Sequence, residues 1–157
     1  LRPAAGAILK APLNPVQSTD MKDLEAIINR AHDELGRGDG ATPGREVKEA
    51  IRETLAGLDS GALRVAEKRD GQWMVHGWIK KAVLLSFTFQ PNRVMQGNFT
   101  NYYDKMGLKF AGYDKSGFVD AGVRVVPPGV ARYGSYIAPG VVLMPCYVNV
   151  GAYVDRG

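Results

Sequence analysis

Cysteine and histidine are almost missing from this chain of 157 residues, which has Cys146, His32 and His76 and no others of either kind. A single thiol excludes an internal disulfide, a structural zinc cluster and a CxxC redox pair, and it fits a reducing cytoplasm. Two histidines without metal-like spacing predict no zinc site. Long hydrophobic runs are lacking too. Dense patches such as Ala82-Val83-Leu84-Leu85 stop at four residues, far short of the roughly 18 that a membrane-spanning helix needs. The glycines form no GxGxxG or Walker pattern, so no dinucleotide or P-loop signature is present. Runs of one charge are missing as well. Twenty Lys and Arg against sixteen Asp and Glu give +4, yet basic runs do not exceed pairs such as Lys80-Lys81. Stretches such as Glu67-Lys68-Arg69-Asp70 intersperse cations with acids. A solvated mixed-charge surface accounts for this better than a phosphate-binding stripe, so neither a nucleic-acid nor a membrane partner is expected.

What is present is globular: 45% hydrophobic and 23% charged residues, in a length that suits one ordinary domain or two small ones. Residues 1–20, with Pro3, Pro12 and Pro15, read as a disordered extension, with Met21 as an original start. Asp20 then caps a first helix, whose Leu24, Ile27, Ile28, Ala31 and Leu35 fall on one face. Gly36, Gly38 and Gly40 end it. Thr42 as cap and Pro43 in the first turn start a second helix, with Val47, Ala50, Ile51, Leu55 and Leu58 as its apolar stripe and Gly61 as its stop. A hairpin follows, residues 63–67 and 72–76 alternating about an Asp70-Gly71 turn. Residues 78–87 return to helical spacing. Residues 88–122 interleave aromatics with Gly, Asn, Asp and Lys, which predicts short strands and loops packed by those rings rather than a base-stacking surface.

From Gly122 onward the pattern changes to recurring aliphatic-then-small pairs. Val130-Ala131, Ile137-Ala138, Leu143-Met144 and Val150-Gly151 are spaced seven, six and seven apart. Each aliphatic is followed four positions later by Gly134, Val141, Tyr147 or Val154. A near-hexapeptide period is the signature of a parallel β-helix, in which each side points an aliphatic inward and a small residue lets the chain turn. Three sides make a coil of about 18 residues, and roughly three coils are needed for a continuous core. Residues 130–157 supply only about one and a half, so the sequence reads as the front part of a longer protein. Cys146, at a coil position, is expected to be a small buried hydrophobe rather than an acyl carrier.

Four stretches carry a family resemblance: residues 58–68 (LDSGALRVAEK), 78–87 (WIKKAVLLSF), 124–128 (RVVPP) and 142–155 (VLMPCYVNVGAYVD). In this order they closely resemble the tetrahydrodipicolinate N-succinyltransferases, over about residues 21–157. The resemblance implies an α+β N-terminal domain, a helical hairpin plus small strands over residues 21–122. That domain leads into the first coils of a left-handed parallel β-helix over residues 123–157. It also implies a cytoplasmic homotrimer. The reaction implied is transfer of succinyl from succinyl-CoA, a co-substrate with no bound cofactor, to a dicarboxylate, ring-opened tetrahydrodipicolinate. The family's substrate-binding arginine precedes Val-Val-Pro-Pro, which is Arg124 here. An arginine fork suits a carboxylate because it binds bidentately and stays charged. Arg132 is a second anion-binding candidate.

No catalytic residue is assigned within the chain. The family's key aspartate follows a Thr-Met-Val run expected beyond Gly157, and Asp155 occupies a different place in the motif. The chain alone is accordingly expected to be weakly active or inactive. Two other readings stay open: another hexapeptide-repeat acyltransferase, against which the lack of histidine in residues 123–157 counts, and a non-catalytic trimerisation module.

Overall fold

The computed structural model describes residues 20–36, 43–97 and 100–156. Three helices make the first core: α1 (Met21–Gly36), α2 (Arg45–Ser60) and α3 (Gly77–Phe89), each packed on the other two. The helical spacing of the sequence is what is buried: Leu24, Ile28 and Ala31 from α1, Ala50, Ile51, Leu55 and Leu58 from α2, and Trp78, Ile79, Ala82 and Leu85 from α3. Asp20 caps α1 as expected, its carboxylate accepting from the Lys22 N–H at 3.2 Å and its carbonyl from the Asp23 and Leu24 N–H groups.

The start of α2 differs from expectation. Gly44, extended at φ −60° and ψ 169°, holds the cap position without a side-chain hydrogen bond, and Pro43 lies before the helix. A glycine inside the first turn would cost backbone entropy, so the helix begins after it, with Glu46 facing the positive end of the helix dipole. Thr42 and the glycines Gly38 and Gly40 lie outside the described residues, as do residues 1–19 of the extension expected over residues 1–20. Gly61 ends α2 at φ 80°, donating to the Leu58 carbonyl. A Cβ there would come within 2.7 Å of the Tyr136 ring, so the position needs glycine for both backbone and space.

Strands β1 (Ala66–Arg69) and β2 (Gln72–Val75) pair antiparallel around Asp70 and Gly71, both at positive φ as the twist of a two-residue hairpin requires. Strands β3 (Arg93–Met95) and β4 (Tyr102–Asp104) form a second antiparallel pair. A short helix, α4 (Lys115–Ala121), stands where strands and loops were expected. Asp114 caps it by accepting from the Gly117 N–H at 2.9 Å, and Gly122 closes it in the left-handed region. The rings of Phe110, Tyr113 and Phe118 pack on one another with centroids within 5.5 Å, and Phe110 also touches the second core, but none of the three is buried, so they form a half-exposed cluster rather than the core packing expected.

Six two-residue strands follow: β5 (Arg124–Val125), β6 (Val130–Ala131), β7 (Tyr136–Ile137), β8 (Val142–Leu143), β9 (Tyr147–Val148) and β10 (Tyr153–Val154). They pair parallel, β5 with β8, β6 with β9 and β7 with β10, in registers eighteen, seventeen and seventeen residues apart. Ala131, Ile137, Leu143 and Val148 from the strands, with Ala138 and Val141 from the turn after β7, are the buried residues of the second core, and Val125 and Val154 pack against them. This corrects the expected register. Ala131 rather than Val130 points inward, and Val150 packs against the helical core instead. Residues 107–109 run antiparallel beside 131–133, with Lys109 N–H donating to the Ala131 carbonyl and Tyr133 N–H to that of Gly107. That ladder sets the pleat, which periodicity alone leaves undetermined where two apolar residues adjoin.

A carboxylate helps to tie the two cores. Asp59, at the end of α2, accepts from Lys109 Nζ at 2.8 Å and from the Gly134 N–H at 2.9 Å.

Candidate functional site

Arg124 opens β5, and strand alternation turns its side chain to solvent while Val125 faces the second core. Its N–H donates to the Val141 carbonyl at 3.1 Å, which fixes the residue against the segment that leads into β8. Beside it, the Gly140 N–H donates to the Gly122 carbonyl at 2.7 Å, which holds the end of α4 against the 139–140 corner. An open groove of about 570 Å³ results, bounded by α4, β5 and the 140–142 segment. Its apolar wall comes from Phe118, Val119, Val141 and Val142, and its charged residues are Lys115 and Arg124. No carboxylate lines it, and among the described residues neither cation forms an ion pair. Sequence reading missed Lys115. No local signal marks it, because Lys115 meets Arg124 only through the packing of α4 beside the 140–142 segment.

Arg132, the other anion-binding candidate, is already engaged. Its guanidinium pairs with the Asp104 carboxylate, donates to Asn149 Oδ1 at 3.2 Å and lies 5.4 Å from the Phe87 ring centroid. Burial pushes the Asp104 carboxyl up, but the Lys105 and Met106 amides and the Arg132 guanidinium outweigh it and hold the group below its ordinary value. Arg132 is therefore a structural cation. Asp155 lies 3.8 Å from Arg64, whose guanidinium sits 3.5 Å over the Tyr153 ring.

Cys146 is exposed, not buried as expected, because it sits in the turn between β8 and β9, between Pro145 and Tyr147, both exposed. His76 bonds Glu67 at 2.8 Å and His32 lies beside Asp33, so no imidazole activates the thiol among the described residues. That hydrogen bond from His76, with a second from Arg69, holds the Glu67 carboxyl below its ordinary value against a smaller opposing effect of burial. Among the described residues no group of three or more His, Cys, Asp or Glu is placed to hold a metal ion, and no helix is long and apolar enough to cross a membrane.

Residues 23–89, which contain all of α2, β1, β2 and α3, match the family model for the N-terminal domain of tetrahydrodipicolinate N-succinyltransferase. Curated proteins named 2,3,4,5-tetrahydropyridine-2,6-dicarboxylate N-succinyltransferase match over a longer stretch. The one from Acinetobacter baylyi is 52% identical over 136 residues, covering 87% of this chain and 50% of the relative. The Psychrobacter protein is 56% identical over 130 residues, 82% of this chain and 48% of its own. That of Paraburkholderia phymatum is 50% identical over 137 residues, again 87% of this chain and 50% of the relative. The chain thus spans about half the length of the curated relatives it matches. It carries the N-terminal domain of the tetrahydrodipicolinate N-succinyltransferase family.

Proposed function

We propose that the protein to which this chain belongs transfers succinyl from succinyl-CoA to the amino group of ring-opened tetrahydrodipicolinate. The products are N-succinyl-2-amino-6-oxopimelate and CoA, a step of diaminopimelate and lysine biosynthesis in the cytoplasm. The supporting observation is the groove beside α4, where Arg124 and Lys115 stand without a carboxylate among the lining residues. The acceptor bears two carboxylates, and a fixed guanidinium gives one of them a bidentate partner that no pH change in the working range removes. Arg124 is read as that partner. Lys115 supplies a second positive charge to the same wall. Succinyl-CoA acts as a co-substrate, and no bound cofactor is required for amine attack on a thioester, only a base that leaves the amine neutral.

The parallel pairs at residues 124–154 are read as the opening coil of a left-handed β-helix of hexapeptide repeats, with the helical and hairpin segment of residues 21–122 as a separate N-terminal domain. A homotrimer of side-by-side prisms accounts for Val142, Met144 and Tyr147, which are apolar yet 44–60% exposed on the coil faces. The test is thiol release from succinyl-CoA in the presence of tetrahydrodipicolinate, by the full-length enzyme containing this sequence. Arg124→Ala is expected to lower kcat/KM about 10- to 100-fold, mainly through KM for the dicarboxylate, as loss of a charge-assisted hydrogen bond dictates. Unchanged KM for the dicarboxylate would remove Arg124 from the site. Absence of succinyl transfer by an intact trimer would favour an assembly module.

A further inference from the structure

A second concavity, of about 490 Å³, opens between α2, α3 and residues 106–108 and shares no lining residue with the groove at Arg124. Its size falls within the roughly 300–1,000 Å³ of small-molecule sites. The floor is apolar: Ile51, Leu55, Phe89 and Met106. The charged residues at its wall are all cations, Lys48, Arg52 and Arg93, and no carboxylate lines it. Glu49 is spent on Arg52, accepting from both Nε and Nη2 of the guanidinium. Lys48 and Arg93 have no ion pair among the described residues. Tyr133 completes the wall; burial and the nearby Asp59 carboxylate push its phenol up, with Arg52 opposing, so it remains an O–H donor at neutral pH.

Cations and a phenol O–H beside an apolar floor suit a ligand with an anionic head and an apolar body. A dicarboxylate does not fit, because one carboxylate would be desolvated against Ile51 and Leu55 without a partner. We propose that this cavity binds a monocarboxylate with an unbranched apolar tail, of the medium-chain fatty-acid class, its head held at Arg93 and Lys48 and its tail laid between α2 and α3. The ligand complements the wall in charge and the floor in polarity.

The experiment titrates the chain with decanoate, decanol and decyltrimethylammonium below their micelle concentrations, by calorimetry. Decanoate is expected to saturate a single site about tenfold more tightly than either other probe, the difference a charge-assisted contact makes. Two variants localise the site. Arg93→Gln removes a cation from an exposed strand and should weaken decanoate several-fold. Gly107→Leu fills the cavity: a Cβ at Gly107 meets only Arg93 Nη2, at an ordinary 3.6 Å, and the backbone there is not in the left-handed region. Gly107→Leu should abolish binding with an unchanged melting curve. Three results overturn the proposal: equal binding of the three amphiphiles, undiminished decanoate binding by both variants, or sedimentation showing that this face joins two copies of the chain and takes up no decanoate.

Discussion

Replacing Asp59 by alanine removes a carboxylate that ties the end of α2 to Lys109 and to the Gly134 amide between β6 and β7. In the native chain Asp59 Oδ1 accepts from Lys109 Nζ at 2.8 Å and from the Gly134 N–H at 2.9 Å, with Lys109 only 9% and Asp59 24% exposed. Truncation leaves a nearly buried ammonium and an amide without its acceptor. Removing one partner of a fully buried pair costs about 3–5 kcal/mol. Here the carboxylate is partly solvated and Lys109 keeps the Asp59 backbone carbonyl at 2.9 Å, so about 2–3 kcal/mol is expected. For a domain of this size that is a fall in Tm of about 4–12 °C. Asp59→Asn retains an acceptor for Gly134 and should cost about 1 kcal/mol less. Urea unfolding followed by helix circular dichroism and tryptophan fluorescence reads both variants. Equal costs for Asn and Ala, or a loss for Ala below about 0.5 kcal/mol, would refute the view that this pair is a buried tie.

Three further outcomes follow from the same geometry. Asp104 is held below its ordinary value of 3.8. Its contribution is therefore complete above that pH and lost as pH falls through the folded value. Asp104→Asn should flatten the acid limb of a stability–pH curve below about pH 4, and an unchanged limb would count against the Arg132 pair. Gly61→Ala, at φ 80° and facing the Tyr136 ring, should cost about 2 kcal/mol in chemical unfolding. Cys146, being exposed, should react with a thiol reagent in the native chain nearly as fast as in urea.

The helical core was legible because its signals are local. Leu24, Ile28, Ala50, Leu55 and Leu58 repeat at helical spacing, and the Asp70-Gly71 turn announces its hairpin. Helix α4 was not, since seven residues with Gly117 inside carry too little propensity to stand out. In the strand region the period was readable and its phase was not. Val130 and Ala131 are adjacent and both apolar, and only the neighbouring 107–109 segment decides which faces inward. Cys146 shows the same limit: residue type predicts burial, but a turn position exposes it. At the candidate site Arg124 was singled out through family likeness, whereas Lys115 joins it only because α4 folds back onto the 140–142 segment.

The turns between the parallel strands are not equivalent. Tyr133 and Val150 lie one level apart, both packed into the helical core, and the neighbouring Gly134 N–H is held by Asp59. Pro145 and Cys146, at another turn, are exposed. Length polymorphism should follow this asymmetry: extra residues grafted between Pro145 and Cys146 only lengthen an exposed turn between β8 and β9, while a single residue inserted at 133–134 slides β7 and every later strand against the helices that clamp the chain there.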